Sequence, residues 1–154
     1  MKSPLKLICL LFLVTSIASC KKDNTSAPVK MSAVVDSKTW SPDLRVVVLQ
    51  NDVFTITASS PLSSLTLVIT INGSATGTYS FPAISSICGA TYTNVAVPSS
   101  SDIYASVTGS VVLTKVDKTA KLISGTFEFT MANTSLSTKS ITNGQFNDLQ
   151  YMEY

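Results

Sequence analysis

From about Lys30 to its end, the sequence alternates between apolar and polar side chains. Leu65, Leu67, Ile69 and Ile71 share one parity, and Ile123, Gly125, Phe127, Phe129 and Met131 share another. No stretch repeats its apolar residues at the spacing of a helix face. A period of two sends successive side chains to opposite faces of a strand, so this chain can bury one face only by building sheet. Clusters of Gly, Asn, Pro and Ser break the alternation at short intervals, the mark of antiparallel strands joined by turns.

The strands can be read in order. Met31 to Val35 leads through Asp36-Ser37-Lys38 to Thr39-Trp40. Val46 to Leu49 and Val53 to Ala58 flank Gln50-Asn51-Asp52 as a hairpin, and Leu65 to Ile71 runs to the turn signal Asn72-Gly73. Thr78 to Phe81 and Ala90 to Val97 are shorter. In the clearest hairpin Val107, Gly109, Val111 and Leu113 share a parity before Asp117-Lys118, and Ile123 to Met131 returns. A turn centred near Asp117 would set Gly109 almost opposite Gly125. Such a pair marks either a bend with close backbone approach or two unrelated weak points. Ile141 and Phe146 are oddly spaced around Asn143-Gly144, through a bulge at Gly144 or through a hairpin turn. About eight or nine short strands in roughly 125 residues predict one all-β domain over residues 30–154. The expected architecture is a single antiparallel β-sandwich; the alternative is a small curled β-barrel, which would make the glycine pair a corner and open a ligand cavity.

The first residues follow a different logic. Lys2 and Lys6 precede an apolar run from Leu7 to Val14, and small residues close on a cysteine at Ile17-Ala18-Ser19-Cys20. This is the layout of a secretory signal peptide over residues 1–19, with an apolar core shorter than the roughly 20 residues that a spanning helix needs. Its ending resembles the lipobox of bacterial lipoproteins, which implies that Cys20 carries a diacylglycerol. Two or more acyl chains hold a protein firmly to a bilayer. The stretch 20–29 is polar and suits a flexible tether. Lys21 after the cysteine, by resemblance to lipoprotein sorting, implies the outer membrane of the cell envelope, on its periplasmic or its surface-exposed face.

Composition removes several functions. Of eleven Lys and Arg, Lys2 and Lys6 leave with the signal, so nine basic residues face nine acidic ones. A near-neutral domain without a basic cluster is a poor nucleic-acid binder. The chain has no histidine, which removes His-based nucleophile systems, His-ligated zinc and His general bases. Asp36, Asp43, Asp52, Asp102, Asp117 and Asp148 sit among turn-forming neighbours, and Glu128 alternates with phenylalanines and should face water. No calcium-loop spacing or Gly-rich phosphate loop occurs. No metal, cofactor or catalytic residue is therefore expected, and the chain is read as a non-enzyme. Of three cysteines only Cys88 remains in the domain, unable to form an internal disulfide; its apolar neighbours favour a small core residue over a reactive thiol.

The order of several motifs resembles a family of small Bacteroidota lipoproteins with a domain of unknown function. Those motifs are Ser32-Ala33-Val34-Val35-Asp36 with Trp40, Gly77-Thr78-Tyr79, Ala90-Thr91-Tyr92, Ile123-Ser124-Gly125-Thr126-Phe127, and Ile141-Thr142-Asn143-Gly144. The resemblance implies an all-β domain on a lipid anchor and carries no binding residues to transfer.

Trp40, Tyr79, Tyr92 and Tyr104 are the candidate ligand contacts. Aromatic rings on an exported β domain form sugar-stacking platforms, and they equally fill cores and sheet corners. Two functions follow: an envelope interaction domain for a glycan or a partner protein, or a barrel-type carrier of a small apolar ligand.

Overall fold

The computed structural model describes residues 30–81 and 88–154; the expected signal peptide, Cys20 and the tether lie outside the described residues. The strands are β1 (Met31–Val35), β2 (Lys38–Trp40), β3 (Leu44–Gln50), β4 (Val53–Ser60), β5 (Leu65–Asn72), β6 (Gly77–Phe81), β7 (Gly89–Thr93), β8 (Tyr104–Asp117), β9 (Leu122–Ala132), β10 (Thr138–Gln150) and β11 (Met152–Glu153). A 3₁₀ turn at Pro61–Ser63 joins β4 to β5.

All eleven strands among the described residues belong to one sheet, in the order β11-β3-β4-β5-β7-β8-β9-β10-β1-β2, with β6 on the same edge of β8 as β7. Every pairing is antiparallel except β11 with β3. The expected sandwich of two sheets therefore gives way to a single curled, partially closed sheet, a half-barrel nearer to the alternative. Its inner face carries the core, from Met31, Trp40, Phe54 and Ile69 to Val111, Phe127, Ile141 and Phe146.

The turns explain the register. Asp36-Ser37 and Asn51-Asp52 join their strands as two-residue loops with both φ angles positive, the geometry that matches strand twist. The β8–β9 turn lies beyond Asp117, whose Oδ1 accepts the Thr119 and Ala120 amides at 3.1 and 2.8 Å. Gly109 consequently pairs with Phe129 and Gly125 with Leu113, so the two glycines are not opposite each other. A bulge between Ser106 and Thr108 turns Val107 outward, against its expected parity. The strand expected to reach Val97 ends at Thr93.

In β10 the odd spacing is a bulge rather than a turn. Register shifts around Asn143 and Asp148, at φ 51° and 47°, keep Ile141, Gly144, Phe146 and Leu149 all facing inward.

Curvature comes from three cross-strand pairs: Gly109 with Phe129, Gly125 with Phe146, and Gly144 with Phe127. A Cβ on Gly125 would stand 2.6 Å from Phe146 Cζ, and one on Gly109 would stand 2.8 Å from Phe129 Cδ1. Each ring fills the place its partner's side chain would take. The rings also touch one another: Phe81 meets Phe129 edge-on at 5.4 Å between centroids, while Phe127 stacks on Phe129 at 5.8 Å and on Phe146 at 6.3 Å.

The two ends of the half-barrel differ. The upper end holds the turns at 36–37, 61–64, 94–103 and 133–137; the lower end holds those at 51–52, 73–76 and 118–121, with both Lys30 and Tyr154. Closure is partial. At the lower end Tyr151 carries the chain from β10 across to β3, where its amide donates to Lys121 O at 2.9 Å and that of Tyr154 to Leu49 O at 3.1 Å. At the upper end Trp40 Nε1–H donates to Ser60 Oγ at 2.9 Å, a buried bond between β2 and the end of β4.

Gly125→Ala is expected to destabilise the domain by about 2 kcal/mol through overpacking. Gly89→Ala, where nothing lies within 4 Å of the added carbon, should stay within about 0.5 kcal/mol of the native chain. Urea unfolding of both variants checks the contrast.

Candidate functional site at the barrel mouth

The upper end opens into a hollow of about 380 Å³. Val35 ends β1 with its side chain inward, and the tight turn at Asp36-Ser37 brings β2 back so that Trp40 also faces in. Leu65 begins β5 and Tyr92 stands on β7, together giving the hollow an apolar floor. Lys38, Thr39, Ser63, Asn94 and Lys139 supply its polar rim. With Asp36, polar side chains outnumber the four apolar ones, so the hollow is more polar than the usual small-molecule site, and its volume falls at the small end of the range of about 300–1,000 Å³.

Lys139 organises one wall. It is the last inward position of β10 before Ile141, and its side chain is only 17% exposed. Its Nζ donates to Asp36 Oδ2 at 2.8 Å, while Asp36 Oδ1 accepts the Ser140 amide at 3.0 Å. The ammonium also stands 5.6 Å from the centre of the Tyr92 ring and 5.1 Å from that of Tyr104, within cation–π reach of both. The two tyrosines meet edge to face at 6.0 Å. The hydrogen bond from Lys139 holds the Asp36 carboxyl below its ordinary range, and the same bond raises the Lys139 ammonium. Burial pushes the Tyr92 phenol up.

Three of the four aromatic residues singled out in the sequence thus converge here. Trp40 and Tyr92 form the floor, 7% and 4% exposed, and half-buried Tyr104 backs Tyr92. Tyr79 sits elsewhere, its ring over Gly73 and its hydroxyl donating to Ala75 O at 2.8 Å. Cys20 lies outside the described residues. Cys88 is a half-buried free thiol packed against the core, and its Sγ accepts the Asn72 amide at 3.1 Å. Sequence reasoning missed Lys139. The signal available was parity, since Lys139 shares the inward phase of Ile141.

Other hollows are more open. Two of about 500 Å³ each lie side by side on the outer face of β8, β9 and β10, sharing Ser110 and Glu128 and lined mainly by hydroxyl and amide side chains. Glu128 points to water, as its place between Phe127 and Phe129 requires. Among the described residues no group of His, Cys, Asp or Glu is clustered to hold a metal ion, and no helix is long and apolar enough to cross a membrane.

The profile of a domain family of unknown function, DUF6252, matches residues 27–150. Neither the curated proteins nor the solved structures gave a match.

The Asp36–Lys139 pair has a definite pH signature. The Asp36 pKa is lowered in the folded state, so its contribution is present above its unfolded value and is lost as pH falls through the lowered one. Lys139 is raised, so its contribution is complete below the unfolded pKa and is lost as pH rises through the folded one. Asp36→Asn should cost less than about 1 kcal/mol near neutrality, because Asp36 is partly solvated. The variant should also lose less stability than the native chain below about pH 4. Thermal unfolding across pH reads both effects.

Proposed function

The chain belongs to the DUF6252 family, and from the geometry of its mouth we propose that it is a non-enzymatic carrier of a small, mainly apolar molecule. The observation that supports this most is the convergence of Val35, Trp40, Leu65 and Tyr92 on one recess with a hydrogen-bonding rim. The curled sheet fills its interior with side chains such as Phe54, Ile56, Ile69 and Phe146, so the ligand lies in the mouth and not along the barrel axis. Val35, Trp40, Leu65 and Tyr92 give the ligand an apolar floor, while Thr39, Ser63 and Asn94 select for a polar group at one edge of it.

The same proposal places the domain at the outer membrane of a bacterial envelope, held by acyl chains on Cys20. The support is the order of Lys2, Lys6, the apolar run Leu7 to Val14 and Ile17-Ala18-Ser19-Cys20. Cys20→Ala should move the protein from the membrane fraction to the soluble fraction of its native cells. Retention of the variant in the membrane fraction would refute the anchor.

A second reading, glycan recognition, has one observation in its favour: the paired outer hollows that share Ser110 and Glu128 are lined by hydroxyls and amides. A glycan array on the same protein separates it from the carrier reading.

Trp40 is the only tryptophan, so its emission reports the mouth alone. A neutral naphthylamine dye should bind saturably and take up energy from Trp40. Leu65→Glu should abolish that transfer while leaving the circular dichroism of the sheet unchanged. Transfer that survives the substitution would place the dye elsewhere and remove the carrier reading.

A further inference from the structure

We infer that the mouth selects a compact apolar molecule bearing one carboxylate, and that Lys38 is the residue that reads this charged head. The inference deepens the carrier reading and rests on it. Three charged side chains line the hollow: Asp36, Lys38 and Lys139. Two of them are spent on each other. Lys139 Nζ donates to Asp36 Oδ2 at 2.8 Å, and Asp36 Oδ1 accepts the Ser140 amide at 3.0 Å, so both carboxylate oxygens have partners. Lys38 stands apart. The three ion pairs among the described residues, Lys115–Asp148, Lys121–Glu153 and Lys139–Asp36, leave it out. Of the groups that hold the Asp36 carboxyl down, the bond from Lys139 ranks first and Lys38 last. Two ammonium groups thus face one carboxylate, and the positive charge left over belongs to Lys38.

Backbone geometry puts that charge where a ligand's head would sit. The two-residue loop Asp36-Ser37, with φ of 45° and 68°, sets Lys38 directly opposite Val35. Lys38 and Trp40 share a parity on β2, and Trp40 is buried in the floor. The lysine therefore takes the inward side of its strand, one step above the floor. Its aliphatic stem can lie along an apolar body while its ammonium stays at the entrance. A lysine kept for solubility alone would suit the outward position, which Thr39 holds.

The remaining lining limits both head and body. A doubly charged head, such as a phosphate monoester, would meet one free ammonium and the Asp36 carboxylate beside it, so a single negative charge is the better match. A carboxylate offers two acceptor oxygens, one for Lys38 and one for a neutral donor of the rim such as Asn94. The body is limited from below. Phe54, Ile56 and Ile69 fill the interior with no exposure, so a long acyl chain finds no bed there. A compact group resting on Val35, Trp40, Leu65 and Tyr92 fits the hollow of about 380 Å³.

The test uses the full chain with the neutral naphthylamine dye bound and energy transfer from Trp40 as the readout. Adamantane-1-carboxylate and its primary amide share one compact body and differ in the charge of the head. At neutral pH the acid should displace the dye at about one-tenth of the concentration that the amide needs, the advantage of a charge-assisted bond over a neutral one. In Lys38→Gln the two concentrations should agree within about twofold, and in Lys38→Arg the gap should persist. The ratio is taken within one variant, so a change in dye affinity or stability cancels. Raised salt should narrow the gap in the native chain.

Equal competition by acid and amide in the native chain overturns the charged head, while the bound dye leaves the carrier reading standing. Displacement by adamantane-1-methylamine ahead of the acid also overturns it, because Asp36 would then set the sign. A gap that survives Lys38→Gln, or closes in Lys38→Arg, overturns Lys38 as the reader. A native chain that takes up no dye loses the carrier reading, and the inference with it.

Discussion

The fold depends on phenylalanine rings occupying space that glycines leave empty. A flat antiparallel sheet of this length would expose one apolar face, and only curling can bury it against itself. Curling brings β8, β9 and β10 together so closely on the inside that paired side chains of ordinary size do not fit. Gly109, Gly125 and Gly144 yield that space, and Phe129, Phe146 and Phe127 take it. The stacking of the three rings then joins local bends into one continuous surface. Everything at the mouth, including the approach of β10 to β7 that sets Lys139 over Tyr92, follows from this curvature.

The curl does not close through a complete hydrogen-bonded ladder. Between β2 and β3 the sheet is joined at the upper end by a buried side-chain bond and at the lower end by a chain crossing. Trp40 therefore has two tasks: its ring forms part of the mouth floor, and its indole N–H ties β2 to β4 through Ser60. A recess built on a closing contact is coupled to the breathing of the curled sheet. By contrast, Lys139 and Asp36 connect neighbouring strands within the ladder and fix the wall without bearing on closure.

Much of this was legible in the residues. Period-two alternation marked the strands and their inner faces, and Asp36-Ser37 and Asn51-Asp52 marked their turns. What alternation does not contain is whether one face is buried against a second sheet or against itself, because both give the same inward parity. Hence eleven strands curled into one sheet lay behind a pattern that also fits a sandwich. The glycines signal a bend, but Thr119-Ala120 has no turn residue of its own, so the residues mark this turn only by the Asp117 that caps it from its start. Val107 is β-branched and apolar, so nothing in its identity announces that a bulge sends it to solvent. The irregularity at Asn143-Gly144 is visible as broken spacing, which fits a hairpin turn as well as the bulge that forms there. The grouping of Trp40, Tyr92 and Tyr104 is not visible, since it depends on which strands become neighbours. The lysine among them interrupts the very alternation by which inner positions are recognised.

The strand order also sets the order in which the fold can form. The hairpins β3–β4 and β4–β5 draw on adjacent residues and can pair as soon as they exist. The outer strands cannot. β1 waits for β10, across more than a hundred residues, and β3 gains its second partner only from Met152 and Glu153, near the end of the sequence. A chain made from its N-terminus thus keeps its curled sheet open along β3 until Met152 and Glu153 are free, and such distant pairings form slowly.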